Sequence, residues 1–137
     1  MIKIWGRKSS SNVQVVLWAA AELGIGYDRI DAGLSYGVVD TPAYLVENPN
    51  GTVPMIQDGD DTPLWESSAI LRYLANSYGN ELMWPADPAA RAQVDKWMEW
   101  AKRHISPVST IDHFNLGAET FSGTRRIHGR VTTAINH

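Results

Sequence analysis

Apolar and polar residues alternate over Ile2-Lys3-Ile4-Trp5, the two-residue period of a strand. Beyond the polar loop Gly6-Arg7-Lys8-Ser9-Ser10-Ser11, the pattern changes. Val13, Val16, Leu17, Ala20 and Leu23 recur at three- and four-residue intervals, one face of a helix opening near Asn12 and stopped by Gly24. Tyr27 to Asp31 reads as a second strand. Strand, helix and strand at this spacing predict a right-handed βαβ unit with parallel pairing. Ala32 to Asp40 is loop, and Thr41-Pro42-Ala43-Tyr44-Leu45 predicts a short helical turn opened by proline.

Asn48-Pro49-Asn50-Gly51 is a turn cluster, because proline sets φ and asparagine and glycine tolerate left-handed φ. Thr52 to Gln57 is a β-rich run, Asp58-Gly59 a hairpin signal, and Thr62-Pro63-Leu64-Trp65 the returning edge strand. Glu66-Ser67-Ser68 then precedes Ile70, Leu71 and Leu74 at helical spacing, ended at Gly79. The resulting β-α-β-β-α order is thioredoxin-like. Asp87 and Pro88 suit the N-cap and first turn of another helix. Its apolar stripe is Ala90, Val94, Trp97, Ala101 and Ile105, with Trp100 alongside and Pro107 as a break or kink. Past Leu116-Gly117 the period fades, and Arg126 to Ile135 reads as a weak helix or a frayed tail. The expected division is residues 1–80 as a thioredoxin-like α/β domain and 81–137 as a shortened all-α segment.

Composition narrows the function classes. The 137 residues are 44% hydrophobic and 20% charged, ordinary for a globular chain. A net charge of −3 gives no reason to expect a nucleic-acid partner. The sequence shows neither an apolar run of spanning length nor a signal peptide, so a cytoplasmic protein without a membrane partner is expected. There is no cysteine, which excludes a catalytic protein thiol and thiolate metal ligands. His104, His113, His128 and His137 lack metal-ligand spacing, and no metal is expected.

Two places can do chemistry. Val53-Pro54 is a candidate cis bond, which turns a backbone edge outward and lets Val53 offer its N–H and C=O to an extended peptide. Glu66-Ser67 opens a helix whose free N–H groups favour a carboxylate, while Glu66 attracts an ammonium. Together they suit a zwitterionic amino-acid head group, although on residue types alone an ordinary N-cap after a hairpin is the plainer account. Arg7 and Lys8 are further candidates for an anionic ligand, with solvated loop charge as the alternative. His104 is a weaker candidate for the same cleft.

The series N-P-N-G-x-V-P-x-I-x-D-G…L-W-E-S-x-A-I-L-x-Y-L closely resembles the glutathione-binding half of the cytosolic glutathione transferases, from Met1 to about Trp100. The resemblance implies that Val53, before the cis-proline Pro54, pairs with the cysteinyl backbone of glutathione. It implies that Glu66 and Ser67 hold the γ-glutamyl end. In serine-type members a serine after the first strand contacts the thiol. Counted back from Val15-Val16-Leu17, that serine corresponds to Ser10, with Ser11 next and Asn12 as helper. A thiol of pKa about 8.5 is a poor nucleophile at neutral pH. A hydroxyl donor plus a helix N-terminus could lower it by one to two units, at about 1.4 kcal/mol each. A helix cap without catalytic role is the alternative for these residues.

The implied activity is thiolate attack on a small electrophile, or peroxide reduction, with glutathione as co-substrate. The alternative is a catalytically weak glutathione-binding or protein-interaction module. The family's helical half is about twice as long as the segment after Pro88, which puts the electrophile site in question. Uncovered tryptophans and the Ala90–Ile105 stripe, together with the resemblance, imply a homodimer.

Overall fold

The structure, a computed structural model, describes residues 1–105. In chain order its elements are β1 (Ile2–Trp5), α1 (Ser11–Glu22), β2 (Tyr27–Ile30), a 3₁₀ turn (Leu34–Tyr36), α2 (Pro42–Glu47), β3 (Met55–Asp58), β4 (Leu64–Trp65), α3 (Ser67–Tyr78) and α4 (Pro88–Trp100). α4 runs on into a π-helical turn, Ala101–Ile105. The strands form one sheet in the order β2-β1-β3-β4. β1 pairs parallel with β2, Ile2 opposite Tyr27, and antiparallel with β3, Ile4 opposite Ile56. β3 pairs antiparallel with β4. This is the thioredoxin-like arrangement.

Strand alternation sends Ile2 and Ile4 to one face of β1, where they meet Ile56 of β3, Val16 of α1 and Ile70 and Leu74 of α3. All six are buried to 2% exposure or less. Each contributes roughly 1.5–3 kcal/mol of burial. α1 and α3 therefore lie side by side on that face, and their N-termini point toward the loops that follow β1 and β4. Gly6 permits the tight exit from β1, since a Cβ there would lie 2.4 Å from Val13 Cγ2.

Element boundaries shift where proline intervenes. The peptide bond between Val53 and Pro54 is cis, and strand pairing begins only at Met55. Pro63 has no N–H to donate, so β4 is confined to Leu64 and Trp65. α1 begins at Ser11 with Ser10 as N-cap, a residue ahead of Asn12.

α4 packs against α3. It is capped as anticipated, the Asp87 carboxylate accepting from the Ala90 N–H at 2.8 Å. No residue of α4 is fully buried: of its apolar stripe Val94 and Ala101 are half-buried, whereas Ala90, Trp97 and Ile105 are exposed, Trp97 to 61%. Ion pairs tie the helix to α3. Arg72 of α3 donates from Nε to Asp95 Oδ1 at 2.7 Å and from Nη2 to Glu99 Oε1 at 2.6 Å. Pro107, His113, His128, His137 and the segment Arg126 to Ile135 lie outside the described residues.

Candidate functional site

Three local structures converge beyond the ends of β1 and β3. The first is the N-terminus of α1. Ser10 has extended backbone at φ −83° and its carbonyl accepts from the N–H groups of Val13 and Gln14. An N-cap serine ordinarily spends its hydroxyl on the N2 or N3 N–H. The Ser10 hydroxyl makes no such bond, although the residue is only 7% exposed. It remains available to a ligand.

The second is the Asn48–Pro54 loop. Asn48 is wholly buried and donates from Nδ2 to the Thr52 carbonyl at 2.9 Å, while the Tyr44 hydroxyl donates to the same oxygen at 2.6 Å. Burial pushes the Tyr44 phenol up, which keeps it a donor. Two donors on the Thr52 carbonyl fix the Thr52–Val53 peptide plane, and planarity then aims the Val53 N–H the opposite way. Among the described residues, the N–H and C=O of Val53 pair with nothing in the chain.

The third is the β4–α3 junction. Glu66 is the N-cap of α3 at φ 72°, ψ 113°, a conformation unusual outside glycine. This bend places Ser67, 4% exposed, at the first position of the helix. Its hydroxyl donates to Asn12 Oδ1 at 3.3 Å, tying the two helix N-termini together.

Asn12, Thr52, Val53, Pro54, Glu66, Ser67 and Lys102 enclose one cavity of about 180 Å³. Arg7, Ser10, Gly33, Leu34 and Val39 line an adjoining hollow of about 360 Å³, which shares Asn12, Thr52 and Val53. Of the residues singled out in the sequence, Asn12, Val53, Pro54, Glu66 and Ser67 meet in the first cavity, and Ser10 lies in the second. Ser11 borders neither. Arg7 reaches the second cavity, and its Nε is buried without a hydrogen-bond partner among the described residues. Lys8 is exposed, and His104 stacks against Trp100 at 5.9 Å, away from both cavities. Lys102 is the addition. Its Nζ lies 3.3 Å from Ser67 Oγ and 3.5 Å from Asn12 Oδ1.

Among the described residues the site thus offers an unpaired backbone edge, a carboxylate beside a helix N-terminus, and a hydroxyl without a cap bond one cavity away. Residues 1–76 match the family profile "Glutathione S-transferase, N-terminal domain". The chain belongs to the glutathione S-transferase family. It is 46% identical over 107 residues to Glutathione S-transferase GstB of Escherichia coli K12, covering 77% of this chain and 51% of that protein. It is 51% identical to the theta class glutathione S-transferase of Xanthomonas axonopodis pv. citri with glutathione bound (TM-score 0.68), over 74% of this chain and 48% of that one. A third relative is the transcriptional regulator URE2 of Saccharomyces cerevisiae, 34% identical over 148 residues, with 96% of this chain and 42% of that protein covered. The chain spans about half the length of the transferases it matches. Among the described residues no group of histidine, cysteine and carboxylate side chains could hold a metal ion, and no helix is long and apolar enough to cross a membrane.

Proposed function

We propose that this glutathione S-transferase family member binds glutathione in the Asn12–Ser67 cavity and activates its thiol from Ser10. The observation that carries this reading is the convergence on one cavity of the unpaired Val53 edge, Pro54, and the Glu66–Ser67 start of α3. An extended peptide adds to the Val53 edge as a strand, while its zwitterionic end meets the carboxylate and helix terminus. The cysteinyl sulfur then falls toward the adjoining hollow, where the Ser10 hydroxyl and the α1 N-terminus stabilise the thiolate. The anion attacks an electrophilic carbon, expelling its leaving group as the S–C bond forms. Alternatively it attacks a peroxide oxygen, breaking the O–O bond to give a sulfenic acid and, once the departing alkoxide takes up a proton, an alcohol. Ser10 is the thiol contact in preference to Ser11, because only Ser10 lines a cavity. A dimer supplies cover for Trp97 and Trp100, both exposed, and cytoplasmic residence suits a reduced-thiol substrate.

The test is calorimetric titration with glutathione, followed by a conjugation assay with a chlorodinitrobenzene. The expected pattern is binding by the native chain, turnover reduced about 10²-fold in Ser10→Ala and retained in Ser11→Ala. Equal turnover in both variants would remove Ser10 from the mechanism.

The URE2 resemblance favours a second reading, since it extends over 96% of this chain. Glutathione binding with no turnover against any electrophile would mark a binding module.

A further inference from the structure

We infer that Lys102, reaching in from the end of α4, is the cationic half of the amino-acid clamp and binds the α-carboxylate of the γ-glutamyl group. This rests on the glutathione reading and adds a residue to it. Both partners of the Lys102 ammonium, Ser67 Oγ and Asn12 Oδ1, are neutral oxygens. The ammonium also stands at the N-terminus of α3, where the helix dipole disfavours a cation and favours an anion. A half-buried lysine held there without a carboxylate partner among the described residues is poised for an anionic ligand. Glu66 lines the same cavity. A site with one carboxylate and one ammonium matches a zwitterion, with Glu66 facing the ligand's ammonium and Lys102, Ser67 Oγ and the first N–H groups of α3 facing its carboxylate.

The delivery of Lys102 is built into α4. Asp95, Glu99 and Lys102 stand at i, i+4 and i+7, one face of the helix. The first two grip Arg72 on α3. The antiparallel run of the two helices then brings position 102 level with Ser67. The turn carrying Lys102 is π-helical, a distortion that frequently occurs at functional sites.

The test compares two peptides on the full chain. One is glutathione; the other is 4-aminobutyryl-cysteinyl-glycine, which lacks only the α-carboxylate. Lys102→Met should weaken glutathione binding about 10- to 100-fold, leave the decarboxylated peptide's affinity unchanged, and be largely rescued by Lys102→Arg. Circular dichroism checks that each variant is folded. Equal affinity of native and Lys102→Met protein for glutathione overturns the inference while leaving the glutathione reading intact. Equal losses for both peptides also overturn it, since Lys102 would then be acting on the cavity's shape. Failure of the native chain to bind either peptide overturns the glutathione reading and the inference with it.

Discussion

Glu66 holds φ at 72°, where a side chain crowds its own backbone and the cost is of order 1–3 kcal/mol. The bend aims the carboxylate at the cavity and starts α3 against Asn12, so strain and site coincide. Glycine adopts this conformation freely. Glu66→Gly should therefore keep or raise the unfolding free energy, by about 1 kcal/mol at most after glycine's own entropy cost. It should weaken glutathione binding, as should Glu66→Gln, which keeps the strain. Chemical denaturation beside calorimetry separates the two effects, and a Glu66→Gly protein less stable than Glu66→Gln would refute the strain argument. Asn48 shows the reverse economy. Its side chain both donates to Thr52 and accepts from the Asn50 N–H at 3.1 Å. Asn48→Ala leaves buried partners unpaired, an expected loss of about 1–3 kcal/mol in denaturant unfolding. It should also weaken ligand binding by freeing the peptide plane that aims Val53.

At the scale of elements, the β3–β4 hairpin is fastened to α3 through one carboxylate. Asp58, at the end of β3, accepts from the hydroxyl of Tyr73 at 2.7 Å and from that of Tyr78. The Tyr78 bond chiefly holds the Asp58 carboxyl below its usual range. The same bond pushes the Tyr78 phenol up to about 12. A carboxyl lowered by folding stabilises above its unfolded pKa of about 4 and loses that contribution as pH falls through the lowered value. A phenol raised by folding stabilises below about 10 and loses its contribution as pH climbs through about 12. Asp58→Asn should flatten both limbs of a thermal-melting profile against pH, and an unchanged acid limb would show the carboxyl to be unimportant. The elements were legible in the sequence because their ends are set by residues with few backbone options: Gly24, Pro42, Pro54, Gly59 and Pro88. Val53 and Pro54 were singled out for the same reason, standing at one of those ends, whereas for Glu66 and Ser67 the family resemblance decided the ligand role, an ordinary N-cap being the plainer account of their residue types. Lys102 was not. Its partners are 35 and 90 residues away, and the apolar stripe on α4 drew attention to a different face.

At the scale of the molecule, and among the described residues, α4 meets α3 through ion pairs, while its Val94 and Met98 are only half-buried. Arg72 grips Asp95 and Glu99, and these bonds hold it firmly protonated, Glu99 being the stronger cause. Such partly exposed pairs add little to stability and are screened by salt, but they have geometric value. They fix the rotation of α4 and hence where position 102 points. A sequence pattern reports which residues avoid water; it does not report which charged side chains of two helices will pair, which is why the contact of α4 with α3 was not legible. If Arg72 acts on the ligand only through the placement of Lys102, the two residues form one unit. Arg72→Met should then melt close to the native chain, yet bind glutathione several-fold more weakly. Combining it with Lys102→Met should cost no more than Lys102→Met alone, because the ammonium that Arg72 positions is already gone. Calorimetric titration of the four proteins at one ionic strength measures the coupling. Losses that simply multiply would mean that α3 and α4 act on the ligand separately, and the ion pairs between them would have no part in shaping the clamp.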